Sequence, residues 1–177
     1  MDVEEFWAVV ESTRAAAANR PGSVVANHVA TLTTALAAMP DARVVGFERR
    51  LRLLVQEANR WDLWAAGYLA LGGMSDDGFT DFRTWLVSQG RANYTRTLAD
   101  PDALVDLSWD EDEEDFGYAE EWGYAAGQVL ESRGLDVDDA EGASVTDPDG
   151  TPFPEDDDAW FARHLPRLWS RYGDQDN

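Results

Sequence analysis

The chain has 177 residues, 44% of them hydrophobic, with no cysteine and a formal net charge of −21. This hydrophobic content excludes a wholly disordered chain, because disordered segments lack enough apolar surface to form a core. The absence of cysteine excludes disulfides, thiolate metal sites and cysteine nucleophiles, and the negative charge argues against a nucleic-acid partner, whose phosphates would be repelled.

The negative charge is concentrated in the second half of the chain. Residues 1–96 contain 11 acidic residues and 10 arginines, a net charge of −1, whereas residues 97–177 contain 24 acidic residues and 4 arginines, a net charge of −20. A field of this sign attracts cationic proteins. The start of the sequence does not have the pattern of a signal peptide, and no apolar run reaches the roughly 20 residues that span a bilayer, so we expect a cytoplasmic protein that does not enter a membrane.

The first forty residues have the pattern of two amphipathic helices. Asp2 and Glu5 match a capping box for the first helix. Apolar residues then recur at spacings of three and four from Val25 to Met39, which predicts a second helix that ends at Pro40.

A third helix follows, with Asp41 as its predicted cap and a group of arginines, Arg49, Arg50 and Arg52, on its polar side. Two interpretations of this group stay open. The arginines can form ion pairs on a solvated face, or they can bind an anionic ligand or a nucleic acid.

The next thirty residues predict two helices joined by a short turn. Asp62 can cap the first helix, and Gly72-Gly73 can provide its left-handed exit. Ser75 is a predicted N-cap for the second helix, which ends near Gly90. We expect the two helices to pack as a tight hairpin, and another element to approach the first helix closely at the small residues Ala65, Ala66 and Gly67.

The remaining sequence predicts short elements and a long acidic segment. Asp100-Pro101 has the pattern of a capped helical turn, and a longer amphipathic helix follows the DEDEED block and ends at Gly134. Residues 135–158 contain ten acidic residues, no basic residue and several Gly and Pro, which predicts an acidic loop or strap. The apolar residues that can hold this loop to the core are Val137, Val145 and Phe153. A last helix is expected from about Glu155, with an interruption at Pro166.

Together these patterns predict an all-α fold, a compact single domain of many helices with an acidic loop before the C-terminal helix. The expected organisation is a helical core domain at residues 1–134, the acidic loop or strap at 135–158, and a C-terminal helix and tail that pack on the core at 159–177.

No pattern in the sequence identifies a catalytic or cofactor site. The motifs of serine hydrolases, phosphate-binding loops, dinucleotide-binding folds and zinc proteases are absent. His28 and His164 stand alone, and the stretch that begins at Asp147, within the acidic loop, departs from the calcium-binding EF-hand pattern. We therefore predict no catalytic residue, no metal and no cofactor, which favours a non-enzymatic protein without deciding the question.

One polar cluster is a candidate ligand site. Asp77 and Asp81 share a helix face, and their mutual repulsion requires a nearby cation, for which Arg14, Arg49 or Arg50 are candidates. The cluster is either a structural network or a ligand pocket closed by tryptophans. The candidate ligand-binding residues are Asp77, Asp81, Arg83, Gln89, Trp61, Trp64 and Trp85.

Several stretches carry a resemblance to a known family. LWAAGYLALGG, SDDGFTDFRTWLVSQGR and the ADPDAL segment resemble an uncharacterised bacterial family, common in actinobacteria, that is known as the domain of unknown function numbered 4240. The resemblance covers roughly residues 1 to 130. It implies a small helical domain and transfers no activity, cofactor or catalytic residue.

The favoured function is an acidic interaction module, such as a regulator, an inhibitor or an immunity-type protein, that binds a basic partner. Its candidate partner-binding residues form the acidic block Asp110, Glu111, Asp112, Glu113, Glu114 and Asp115. The alternative is a small-ligand-binding protein, or a hydrolase or transferase, with a pocket around Asp77, Arg83 and Gln89. The sequence does not give the oligomeric state.

Overall fold

The structure, a computed structural model, describes residues 1–107, 114–135 and 146–173, with the backbone alone for residues 114–119. Within these ranges every regular element is a helix, which confirms the predicted all-α fold. The elements are α1 (Val3–Ala18), α2 (Val24–Ala37), α3 (Asp41–Glu57), α4 (Trp61–Leu71), α5 (Asp76–Ser88), α6 (Arg91–Ala99), a 3₁₀ helix (Pro101–Asp106), α7 (Glu114–Ser132), α8 (Asp158–His164) and α9 (Pro166–Tyr172).

Three of the predicted helix ends are confirmed. The capping box of α1 is present, because the Glu5 amide donates to Asp2 Oδ1 at 2.8 Å and the Asp2 amide donates to Glu5 Oε2 at 3.3 Å. Ser75 caps α5 by accepting a hydrogen bond from the Gly78 amide. Gly72 ends α4 in the left-handed conformation, with φ of 67°.

Two predicted caps are wrong. Asp41 is the first residue of α3, not its cap, and its carboxylate accepts a hydrogen bond from Arg133 at 2.5 Å. Asp62 lies in the first turn of α4, where it binds Arg60. Both carboxylates still lie near the positive end of the helix dipole, which is why these positions resemble caps in the sequence.

The core forms around α7, which packs against α2, α5 and α3. Trp122 on α7 is 1% exposed, and its ring lies 6.3 Å from that of Phe47. The expected tight hairpin of α4 and α5 is looser than predicted, because α5 packs chiefly against α7 and α3. The close approach predicted at the small residues of α4 is made by Met74, whose Cε would lie 2.8 Å from a Cβ at Gly67.

The C-terminal segment, residues 146–173, packs against α4 and the 3₁₀ helix. The helix predicted from about Glu155 begins at Asp158, after the cap residue Asp157, and it is interrupted before Pro166, which starts α9. Phe153 is buried in this segment as expected. Two other residues expected to hold the acidic loop, Val137 and Val145, lie outside the described residues. None of the described helices is both long and apolar enough to cross a membrane.

Candidate functional site

Arg83, a member of the candidate ligand pocket, is a buried link between α5 and α3. It is 9% exposed, and its Nη1 donates to the Val55 carbonyl on α3 at 3.2 Å. Its Nη2 donates to Thr80 Oγ1 at 2.9 Å, and its guanidinium carbon lies 4.7 Å from the centre of the Phe79 ring. No described carboxylate forms an ion pair with Arg83, and burial lowers its pKa to about 10.

Gln89 and Trp85 lie in other surroundings. Gln89 Oε1 accepts a hydrogen bond from Arg14 of α1 at 3.2 Å, and its Nε2 donates to Ser88 Oγ. Trp85 is 2% exposed and lies in the core, 5.8 Å from the Phe82 ring. Gln89 therefore joins the end of α5 to α1, and Trp85 has no surface on which to close a pocket.

Trp61 and Trp64 lie together in an aromatic cluster. Their rings are stacked 5.1 Å apart, and Trp64 also stacks on Phe79 at 4.7 Å. The indole N–H of Trp64 donates to the Met74 carbonyl at 3.2 Å. The structure thus does not gather the seven candidate residues around one cavity, and ligand binding by them stays a prediction.

Asp77 and Asp81 contribute to a surface that we call the acidic face, formed by Asp77, Asp81 and Glu120 with Tyr124. Burial, followed by the charges of Glu120 and Asp77, raises the pKa of the Asp81 carboxyl. Tyr124 is 57% exposed, and its hydroxyl donates to Glu120 Oε1 at 3.0 Å. That hydrogen bond and the negative charge of Glu120 raise the pKa of the Tyr124 hydroxyl.

The acidic face has no cationic partner among the described residues. The expected compensation by Arg14 is absent, since this arginine binds Gln89 instead. Arginines elsewhere pair with other carboxylates: Arg43 with Glu5, Arg91 with Glu4, Arg52 with Glu48, Arg60 with Asp62, Arg133 with Asp41, and both Arg96 and Arg167 with Asp106. The negative charge of the acidic face is therefore left uncompensated by these pairs.

The acidic block predicted to bind a partner adjoins the same helix. Asp110, Glu111, Asp112 and Glu113 lie outside the described residues. Glu114 and Asp115 begin α7, and their side chains also lie outside the described part. The acidic block is therefore followed in sequence, along α7, by Glu120 of the acidic face.

A groove that the sequence did not reveal lies where the C-terminal segment meets the start of α4. Its volume is about 490 Å³, and it is lined by Arg60, Asp62, residues 149–152, Trp160 and His164. The Asp149 amide donates to the Asn59 carbonyl at 2.8 Å, and the Trp61 amide donates to the Asp149 carbonyl at 3.0 Å. This pairing joins residues some ninety positions apart, so local sequence patterns give no sign of it.

The polar groups of the groove differ in how far they are satisfied. Arg60 binds both carboxylate oxygens of Asp62, and its Nη1 donates to the Leu98 carbonyl at 2.7 Å. The His164 ring stacks on Trp160 with centres 4.3 Å apart. The Asp149 carboxylate has no hydrogen-bond or ion-pair partner among the described residues.

The two histidines therefore have different surroundings. His28 is 4% exposed, and its Nε2 lies 3.1 Å from Thr13 Oγ1. Burial and then the charge of Arg14 lower its pKa to about 4. His164 is exposed beside the groove. Within the described ranges, no group of three or more His, Asp or Glu side chains is arranged to hold a metal ion.

Comparison with known proteins relates the N-terminal part of the chain to a family. No curated protein and no solved structure matches the chain. The family described as "Protein of unknown function (DUF4240)" matches residues 1–132, which contain both helices of the acidic face and exclude α8, α9 and the loop at residues 149–152. Because the match covers well over half of its length, the chain belongs to the DUF4240 family.

Proposed function

We propose that the protein is a cytoplasmic interaction module that binds a basic protein through its acidic face. The observation that carries the proposal is the meeting of Asp77, Asp81 and Glu120 from two helices, without a described cation to compensate them. Such a module acts by binding to its partner protein, as a regulator, an inhibitor or an immunity-type protein does.

The electrostatics of the acidic face favour a cationic partner. Burial, and then the like charges of Glu120 and Asp77, destabilise the ionised form of Asp81 and raise the pKa of that carboxyl. A cation that docks on the face relieves this repulsion and is attracted at long range. The exposed Tyr124 ring adds apolar contact area, and tyrosine is enriched among residues that contribute strongly to interfaces. The acidic block Asp110–Asp115 lies between Asp81 and Glu120 in sequence and adds charge of the same sign.

The test is binding of a basic probe, a deca-lysine peptide, measured by calorimetry at low and at physiological salt. We expect the triple variant Asp77→Asn, Asp81→Asn, Glu120→Gln to weaken binding about tenfold or more, and added salt to weaken the wild type, because exposed charges are screened.

The matched control removes three negative charges elsewhere, with Glu131→Gln, Asp147→Asn and Asp158→Asn, all of which are exposed. We expect this control to weaken binding less than about threefold, a change well under 1 kcal/mol. Equal losses in the two triple variants would show attraction by net charge alone and would contradict a specific face.

No observation favours the alternative of a ligand pocket around Asp77, Arg83 and Gln89. The contacts of Arg83 are with α3 and its own helix, whereas Gln89 contacts α1. Asp77 lies on the acidic face, where its negative charge repels that of the Asp81 carboxylate.

A further inference from the structure

We propose that the groove between the start of α4 and the C-terminal segment binds the guanidinium group of an arginine side chain presented by a polypeptide. The site lies on α4, α8 and the loop at residues 149–152, whereas the acidic face lies on α5 and α7. The proposal concerns a second site and does not depend on the function proposed for the acidic face.

The backbone around Asp149 is fixed before any ligand arrives. The amide and the carbonyl of Asp149 bind the Asn59 carbonyl and the Trp61 amide, respectively. Asn59 is 6% exposed, and its side-chain amide donates to the Thr146 carbonyl at 2.9 Å. Gln56 also donates to Thr146 Oγ1 at 2.9 Å. The loop therefore presents the unpartnered Asp149 carboxylate from an anchored backbone, which lowers the entropic cost of binding.

The charges that line the groove select a cation. Arg60 is the only described arginine in the lining, and its guanidinium is already paired with the Asp62 carboxylate and donates to the Leu98 carbonyl. The described lining therefore offers no unpaired arginine to an anionic ligand. The Asp149 carboxylate leaves the groove with an unmatched negative charge.

The aromatic side of the groove favours guanidinium over ammonium. Trp160 packs against Phe161 with ring centres 5.3 Å apart, and His164 stacks on its indole. A planar guanidinium can stack on aromatic rings and can bind a carboxylate through two parallel hydrogen bonds, whereas an ammonium acts as a compact point charge. A volume of about 490 Å³ lies within the range of small-ligand sites, roughly 300–1,000 Å³, and has room for one side chain.

The experiment is an NMR titration of the full chain with N-acetyl-arginine amide. The indole N–H of Trp160 and the ring protons of His164 are the reporters. We expect saturable shifts of both with a millimolar dissociation constant, which corresponds to about −4 kcal/mol. The uncharged isostere N-acetyl-citrulline amide and the ammonium analogue N-acetyl-lysine amide should each bind at least about fivefold more weakly.

Variants separate this site from the acidic face. Asp149→Asn should weaken arginine binding about tenfold, whereas Asp147→Asn, an exposed carboxylate two residues earlier, and the acidic-face triple variant should leave it unchanged. Failure to observe saturable shifts, equal binding of citrulline or lysine amide, or an unchanged affinity in Asp149→Asn would overturn the proposal. None of these results bears on deca-lysine binding at the acidic face, so the two proposals fail independently.

Discussion

The part of the chain that matches the family and the C-terminal segment that follows it are held in place by different means. In residues 1–132, long amphipathic helices bury continuous apolar stripes, such as that of α2 with Leu32 and Leu36 at 0% exposure. In residues 146–173, the two helices have seven residues each, too short to be stable on their own in water. The C-terminal segment therefore depends on contacts with the rest of the protein.

A cluster of aromatic rings around Phe153 provides part of those contacts. The Phe153 ring lies 6.2 Å from Trp61 and 5.3 Å from Tyr68 on α4, and 5.8 Å from Phe161 on α8. One cluster of rings thus joins a segment of weak local structure to a helical domain. If this is correct, damage to the cluster should destabilise the whole chain.

Of three predicted losses of stability, the largest is expected from Phe153→Ala. Phe153 is 8% exposed, and removal of its ring should lower the free energy of unfolding by about 3 kcal/mol, because truncation of a buried phenylalanine leaves a cavity. Denaturant unfolding followed by tryptophan fluorescence measures the change. Phe47→Ala, in the helical core, is the matched control and should cost about 3–5 kcal/mol. A loss below about 1 kcal/mol for Phe153→Ala would show that the C-terminal segment is not integral to the fold.

A smaller loss of stability is expected at acidic pH, because of His28 in the family-matched part. Its folded-state pKa of about 4 lies below the ordinary value of 6.5, so the unfolded chain takes up a proton first as the pH falls. The contribution of neutral His28 to the free energy of unfolding should therefore be fully present above pH 6.5. It should decrease by about 2 kcal/mol between pH 8 and pH 5. Unfolding curves across this range measure it, and His28→Gln should flatten the dependence. An equally steep loss in that variant would assign the effect to other groups.

The smallest of the three losses of stability is expected at Asp102, whose hydrogen bonds join the family-matched part to the C-terminal segment. The buried Asp102 carboxylate accepts hydrogen bonds from the Arg167 amide at 3.0 Å and the Leu168 amide at 2.9 Å. It thus caps α9, whose own N-cap residue, Leu165, has no capping side chain. Asp102→Ala should lower stability by about 1–2 kcal/mol in thermal or denaturant unfolding.

Asp106→Ala is the matched control for Asp102→Ala. Asp106 binds Arg167 and Arg96 on the surface, and such exposed pairs contribute less than about 1 kcal/mol. If Asp106→Ala cost as much as Asp102→Ala, the surface ion pairs and not the cap would join α9 to the 3₁₀ helix.

The sequence predicted the helical class, most of the helices, the family resemblance over roughly the first 130 residues, and the ends of helices at Asp2, Ser75 and Gly72. These features follow from spacings of three and four residues and from side chains that bind their own backbone nearby. Short-range interactions of this kind are complete within a few residues, so the local sequence determines them.

Only the tertiary structure decided which polar side chains meet. Asp81 and Arg83 are two residues apart in sequence, yet Asp81 faces Glu120 on α7 and Arg83 binds α3. Neighbouring positions on a helix point in different directions, and the packing of other helices determines what each side chain contacts. The groove at Asp149 and the cap at Asp102 likewise join residues 65 or more positions apart, and such contacts leave no periodic pattern in the sequence.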